Sequence, residues 1–394
     1  MRLGPIVSPL DPADWSFPVP IRYGPGRVRE LPSLCEALGS TRPLVVTDRG
    51  SQDLPFIAEC LAGLARAGLK PQLFSNVNPN PTDVNIAEGC DIFRRGDHDC
   101  VVAVGGGSGL DAGKGISLVA QNQSALWAFD FDDAEAPPLG ASSFPPLVCI
   151  PTTAGTGAET ESTAMVTDTE RGIKRCVWHA NQSPRFVILD PLLTVGLPPH
   201  LTAWTGCDAL VHAIEAYTVP AWHPMCDGIA CEAMRLVYRW LPDAVANGEN
   251  VQARGAMLVG SCLAGIAFLK GLGLVHSISH MVGAEFDTHH GLTNAIVLPA
   301  VLRFNRDGIA DKVPMMCQAM GLSGESFDDL YNAVVGLLDH LEIPKGLSAL
   351  NVDVSRVPIL AEKAFGDAAT GTNAVPASAH EIEGILREAI DAAR

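Results

Sequence analysis

Cys100-Val-Val-Ala-Val-Gly105-Gly-Gly-Ser-Gly-Leu-Asp-Ala-Gly-Lys-Gly115 is the stretch that decides the fold. Cys100–Val104 predicts a buried strand, Gly105–Ser108 breaks it, and a helix follows. A helix N-terminus offers unpaired N–H groups, and glycines let the backbone approach closely, so the turn suits a phosphate. It is not a P-loop. That motif needs glycine where Ser108 stands and Ser or Thr where Gly115 stands. The register Gly107-Ser-Gly109-Leu-Asp-Ala112 fits the loose dinucleotide fingerprint, without the acidic residue expected about twenty positions on.

Outward from this turn, the first half of the chain alternates short apolar runs with helical stretches. Pro43–Thr47 predicts a strand ending at Asp48, and a helix follows around Ile57–Ala67. Pro146–Ile150 and Phe186–Leu189 are two further strands. This alternation implies a parallel sheet covered by helices. A second loop, Pro151-Thr-Thr-Ala-Gly-Thr-Gly157, brings the hydroxyls of Thr152, Thr153 and Thr156 to the C-terminal edge of the sheet, where open α/β folds bind ligands. Asp48 either accepts hydrogen bonds from a ribose diol or is a solvated turn aspartate.

Beyond about residue 200 helical periodicity takes over, through 202–218, 226–240, 251–269 and 272–285. At 394 residues the chain exceeds what one core usually organises. The expected division is an α/β domain over 1–199 and an all-helical domain over 200–394, with the break in the proline-rich Pro191–Pro199. Residues 1–14, themselves proline-rich, are assigned to no element.

A net charge of −17 argues against nucleic-acid and anionic-membrane partners, which need a basic footprint. No apolar run long enough to cross a bilayer is expected, and the N-terminus does not resemble a secretory signal, so a cytoplasmic location is the expectation. The 11 cysteines form no CxxC pair, which predicts reduced thiols without a catalytic or zinc role.

The chemistry-bearing residues cluster elsewhere. Asp208 and His212, four apart in GCDALVHAIEAYT, share a helix face and can grip one ion from one side. His276 and His280 repeat that spacing in GLGLVHSISHMVGAEF, and His289-His290 follow. One carboxylate with imidazoles suits Fe(II), Zn, Co or Ni. Spacing leaves open which of the four C-terminal histidines bind.

GGGSGLDAGKG, PTTAGTGAE, GCDALVHAIEAYT and GLGLVHSISHMVGAEFDTHHGLTNAIVLP together resemble the iron-containing (group III) alcohol dehydrogenases, over roughly residues 20–305. The resemblance implies a dehydroquinate synthase-like architecture. An α/β dinucleotide-binding domain is followed by a helical metal-binding domain, with the active site in the cleft between them. It implies a divalent ion, Fe(II) or Zn, on Asp208, His212, His276 and His290. It makes His280 a non-ligand catalytic residue near nicotinamide and substrate, and leaves His289 structural. The implied cofactor contacts are Asp48, Asn80, Gly106, Gly107, Ser108, Asp111, Thr152, Thr153, Thr156 and Lys174. The implied reaction is hydride transfer between NAD(H) and a small primary alcohol or aldehyde, with the ion as Lewis acid and His280 relaying the proton. Asp48 would repel a 2′-phosphate, favouring NAD over NADP. A homo-oligomer, at least a dimer, is expected.

The chain departs from the family pattern in three places. Gly113 stands where alanine usually precedes the lysine, and Ala158 where serine is common. The stretch Phe268–Gly273 is one residue shorter than in some relatives and carries Lys270. Lys270 is read either as an exposed charge or as a group favouring an anionic hydroxy acid or semialdehyde. A dehydroquinate-synthase-like lyase would need a basic pocket, for which Lys270 is nearly the sole nearby candidate. A non-catalytic scaffold would leave the filled ligand positions without purpose.

Overall fold

The computed structural model describes residues 13–15, 17–122, 124–131 and 144–390, so most of the proline-rich segment 1–14 lies outside the described residues. The chain forms two compact units. One contains Ala158–Val195 and the chain before Ala154; the other contains Ala154–Gly157 and the chain from Gly196.

The first unit is α/β. Its strands are β1 (Ala13–Trp15), β2 (Ile21–Tyr23), β3 (Pro43–Val46), β4 (Gln72–Phe74), β5 (Cys100–Gly105), β6 (Leu147–Pro151), β7 (Thr163–Asp168), β8 (Ile173–Trp178) and β9 (Phe186–Leu189). Its helices are α1 (Leu31–Ala37), α2 (Pro55–Arg66), α3 (Asp83–Arg95) and α4 (Gly107–Val119). Seven strands make one sheet in the order β1-β2-β9-β6-β5-β3-β4, and β7 and β8 form a separate antiparallel ribbon. Among the described residues of the large sheet only β1 runs antiparallel to its neighbour; the six strands from β2 to β4 in that order run parallel. β3, β5 and β6 are buried along their whole length, as parallel strands covered on both faces must be. Their near-continuous apolar runs therefore announced them in the sequence. β7 alternates between buried and half-buried residues and packs one face only, which made it harder to see.

The second unit is helical: α5 (Pro199–Thr218), α6 (Pro224–Ala246), α7 (Val251–Ala267), α8 (Leu274–Phe286), α9 (His290–Asn305), α10 (Val313–Met320), α11 (Phe327–His340), α12 (Val357–Phe365) and α13 (Ala379–Ile390). Short 3-10 turns link several of them, including Phe268–Lys270 and Ala368–Thr372. Among the described residues one apolar core runs through all nine of these helices. Contrary to the sequence expectation, Val251–Lys270 is long and apolar enough to cross a membrane, with a mean hydropathy of 1.4. It is, however, 72% buried in this unit and carries the buried Arg254.

The units divide at Val195/Gly196, and Ala154–Gly157 joins the helical unit, a detail that a single boundary at 199/200 does not contain. Two glycines explain it. A Cβ on Gly157 would stand 2.5 Å from the Ser261 carbonyl oxygen and 2.7 Å from Gly265 Cα. At φ +63°, Gly157 also adopts the left-handed conformation that side chains disfavour. The loop backbone thus seats directly on α7, where any larger residue would hold it off.

Candidate active site

α5 places Asp208, His212 and Glu215 on one face, at spacings of four and three residues. α8 contributes His276 and His280, and His290 opens α9. One donor atom from each of Asp208, His212, His276 and His290 lies within 4.8 Å of all the others. Asp208 Oδ1 is 3.6 Å from His290 Nε2 and 4.0 Å from His276 Nε2. The rings of His212 and His276 stack with centroids 4.5 Å apart. Asp208, His212 and His276 are buried, and His290 is half-buried.

Burial would raise the Asp208 pKa, but the imidazoles of His212, His290 and His276 and the Asn294 hydrogen bond outweigh it and leave it at about 2. His276 is driven well below its ordinary value, first by burial and then by His212, so its ring is neutral near pH 7. The cage therefore holds an ionised Asp208 carboxylate and a neutral His276 ring. Asn294 Nδ2 lies 2.6 Å from Asp208 Oδ1, 3.2 Å from His276 Nε2 and 3.1 Å from His290 Nε2. The Asn294 Oδ1 is buried without a hydrogen-bond partner among the described residues. A carboxylate oxygen and three imidazole nitrogens converging at this spacing, beside an amide oxygen with no protein donor among the described residues, are a set of residues that fits a divalent cation.

Each ring has a partner for its other nitrogen. Glu215 Oε2 accepts a 2.6 Å hydrogen bond from His276 Nδ1, which leaves Nε2 as a lone pair toward the cage. Glu215 Oε1 accepts from the Val275 amide at 2.7 Å, tying this carboxylate to the start of α8. Burial pushes Glu215 up to about 7, against hydrogen bonds from the Val275 and Gly273 amides that lower it. His212 Nδ1 faces the Gly155 carbonyl at 3.3 Å, an orientation set by the glycine-seated loop. His280 is not in the cage, although its ring centroid is 5.9 Å from that of His276 and 5.6 Å from that of His290. Its Nδ1 pairs with Asp367 Oδ2 at 2.9 Å. His289 caps α9, accepting from the Leu292 amide, and its ring packs on Trp204.

In the α/β unit, the expected strand-to-helix turn runs from β5 into α4. Gly105 has φ +150°, and a Cβ there would stand 3.3 Å from Asp48 Oδ2. A Cβ on Gly106 would meet Thr153 Oγ1 at 3.3 Å. Gly106 gives no side-chain cap to the first turn of α4, and an uncapped helix N-terminus suits an anionic group. The Ser108 hydroxyl donates to the Pro79 carbonyl, bringing the loop that carries Asn80 to the same turn. Thr152 donates its amide to Gly105 O at 2.9 Å. Asp48, Asn80, Gly106, Gly107, Ser108, Thr152 and Thr153 thus gather around one glycine turn at the C-terminal edge of the sheet. Both Asp48 oxygens accept from Ser51. Asp111, one turn further along α4, is raised by burial to about 6, while Lys114 and Lys174 pull it down. Thr156 belongs to the loop segment of the helical unit instead.

Lys270 is neither exposed nor available to a substrate. It is buried, its Nζ bonds Asp227 Oδ1 at 2.5 Å, and it also donates to the Tyr217 carbonyl at the end of α5. Three residues that hydrogen-bond the cage or His280 escaped the sequence reading. Glu215 and Asn294 had a usable signal, lying three residues after His212 and four after His290. Asp367 had none, because it lies 87 positions from the histidine it holds.

A glycine turn at the C-terminal edge of a parallel sheet and a carboxylate–imidazole cage in a helical unit are the two features to set beside known proteins. The description "Iron-containing alcohol dehydrogenase" matches residues 18–191, and "Fe-containing alcohol dehydrogenase family, C-terminal" matches residues 202–390. The chain belongs to the iron-containing alcohol dehydrogenase family and is an oxidoreductase. It is 36% identical to an NAD-dependent methanol dehydrogenase of Bacillus methanolicus, over 93% of this chain and 97% of that one. It is 34% identical to a 4-hydroxybutyrate dehydrogenase of Cupriavidus necator, over 93% and 96% respectively. Its fold matches a crystal structure of 1,3-propanediol oxidoreductase with a TM-score of 0.90 at 35% identity, covering 97% of this chain and 100% of that one.

Proposed function

We propose that this protein interconverts a small primary alcohol and its aldehyde with NAD(H), using a divalent ion, Fe(II) or Zn, on Asp208, His212, His276 and His290. The observation that carries the reading is the cage itself: four donor atoms mutually within 4.8 Å, with the buried Asn294 Oδ1 beside them lacking a hydrogen-bond partner among the described residues. When bound, the ion supplies Lewis-acid stabilisation of negative charge on the substrate oxygen, and NAD supplies the hydride acceptor. The protein's own part is positional. Glu215 and Gly155 hold the His276 and His212 rings with their lone pairs turned inward. His280, beside the cage and with Nδ1 already engaged, has Nε2 to take the alcohol proton or return it. The amides of the glycine turn would hold the cofactor phosphates, with Asn80, Asp111, Thr152, Thr153, Thr156 and Lys174 completing its contacts. Asp48 would hold the ribose and favour NAD over NADP.

A second reading, an anionic hydroxy acid or semialdehyde as substrate, draws on the hydroxybutyrate-oxidising relative. Lys270, the group that would have recognised the anion, is committed to Asp227, so the neutral alcohol is favoured. The same commitment removes the basic candidate that a dehydroquinate-synthase-like lyase would need. The reading carries with it a cytoplasmic homo-oligomer, a dimer or larger, in keeping with 11 free cysteines of which most are buried.

The test is metal analysis of the purified protein, paired with reduced-nicotinamide absorbance over a panel of alcohols, aldehydes and hydroxy acids. His276→Ala is expected to lose bound metal and turnover together, by at least ~10²–10³-fold in rate. Full turnover in metal-free protein would remove the cage from the chemistry.

A further inference from the structure

The segment from Asp367 to Val375 follows α12 and is strapped onto the helices of the site. Thr372 donates its hydroxyl to the Leu272 carbonyl at 2.7 Å, just before α8. Asn373 Oδ1 accepts from the Leu274 amide at 3.1 Å, at the first residue of α8. Asn373 Nδ2 donates to Asn305 Oδ1 at 2.8 Å, at the end of α9, and to Val375 O. The strap is thereby fixed to the two helices that carry His276, His280 and His290.

Asp367 opens the strap and divides its carboxylate between two tasks. Oδ1 accepts from the Ala369 amide at 2.9 Å and caps the 3-10 turn Ala368–Thr372. Oδ2 accepts from His280 Nδ1 at 2.9 Å. The contact is largely shielded, with side-chain exposures of 19% for His280 and 14% for Asp367. A carboxylate cannot donate, so His280 must carry its proton on Nδ1 in this pair. Nε2 then becomes the ring's open nitrogen, and the ring is held in one plane, parallel to that of His290 within 14°.

We propose that Asp367 is the positioning residue for His280, fixing its tautomer and ring plane so that Nε2 exchanges the substrate proton. The role rests on the alcohol dehydrogenase reading above. A capping role alone makes a different prediction, because Asn caps a helix as well as Asp does. Asp367→Asn keeps the size and the cap but replaces an obligate acceptor with a group that can present N–H to Nδ1. The favoured tautomer then inverts, and Nε2 is no longer open.

The experiment compares wild type, Asp367→Asn, His280→Ala and the double variant, each loaded with metal and quantified for it. Asp367→Asn is expected to lower kcat roughly 10- to 100-fold, with KM and metal content little changed. In the His280→Ala background it should cost nothing further, since a positioning residue acts through the ring it positions. Imidazole ¹⁵N spectra of histidine-labelled protein supply a readout independent of turnover: His280 as the Nδ1–H form in wild type, inverted or mixed in Asp367→Asn. Unchanged spectra, or full additivity of the two substitutions, would overturn the proposal. A wild type that oxidises no alcohol would instead sink the functional reading, while the spectra still decide whether Asp367 sets the ring.

Discussion

The α/β unit and the helical unit build their candidate sites from different materials. Around Gly105–Ser108 the groups proposed to meet a ligand are backbone amides, and side chains matter chiefly by being absent or small. In the helical unit the acting groups are side chains, and each is oriented by a partner distant in the chain: Glu215 on His276, Gly155 on His212, Asp367 on His280. A backbone site is robust to the chemistry of its neighbours and vulnerable to their volume. A side-chain site is the reverse, because exchanging one acceptor for a donor of equal volume redirects a proton. The two units should therefore fail under different kinds of substitution.

The largest expected effect short of removing a ligand is at Glu215. Glu215→Gln preserves volume and leaves an oxygen for the Val275 amide, but it can turn an N–H toward His276 Nδ1. The ring then shifts its proton to Nε2, the atom that should face the ion. Metal affinity should fall about 10- to 100-fold, the usual scale for losing such a partner. Competition against a chromogenic chelator measures it directly. Unchanged affinity would mean that the rings are held by packing, and the contrast between the units would lose its basis.

Next in size is a charge in the α/β unit that takes no part in the proposed site. Glu161 is buried, with Oε1 unpartnered among the described residues and Oε2 accepting from Thr163 at 2.7 Å. Burial holds its pKa up at about 8, although Lys114 pulls it down. The folded state thus keeps a proton that the unfolded chain has released, so the protein binds more protons folded than unfolded. Stability must therefore fall as pH rises from the ordinary glutamate value of 4.5 toward about 8, and level off above that. Glu161→Gln removes this fall. Unfolding free energies from urea titrations at pH 6 and pH 7 should differ less in the variant, by about 1 kcal/mol. An identical pH dependence in both proteins would show that Glu161 is ionised and paired after all.

Legibility in the sequence follows the same division. β3, β5, β6 and β9 were readable because doubly covered parallel strands are apolar throughout, and the glycine turn because it is contiguous. The cage was partly readable: Asp208–His212 and His276–His280 are helix-face pairs, yet local spacing could not say that His290 joins the cage while His280 stands aside. That choice depends on how α8 and α9 cross, which a resemblance supplied and periodicity did not. The seat of Gly157 on Gly265, the pairing of Lys270 with Asp227 and the Asp367 strap are contacts between residues 43 to 108 positions apart, with no local pattern to announce them. The β7–β8 ribbon was missed because its half-buried alternation resembles a polar loop.

The smallest expected effect tests volume in the backbone-built unit. Gly113 stands where the family usually has alanine, and by helix propensity alone Gly113→Ala should stabilise α4 by about 1 kcal/mol. The structure reverses the sign. An added Cβ would lie 2.4 Å from Ala103 Cβ on β5 and 3.3 Å from its Cα, and neither atom can rotate away. Overpacking of this kind costs about 1–3 kcal/mol, so the net change should be a loss of about 1 kcal/mol, seen as a lower urea midpoint with an unchanged slope. Because α4 carries the glycine turn, the displaced helix should also weaken NAD binding, whereas an equal loss of stability in α13 should not. Ala103→Gly opens the space that the new methyl needs. In the double variant the packing conflict should disappear, with the midpoint partly recovered and NAD affinity restored. If the single variant is instead more stable and binds NAD normally, α4 can slide on β5 at no cost, and the backbone site tolerates volume as readily as the cage tolerates none of its charge exchanges.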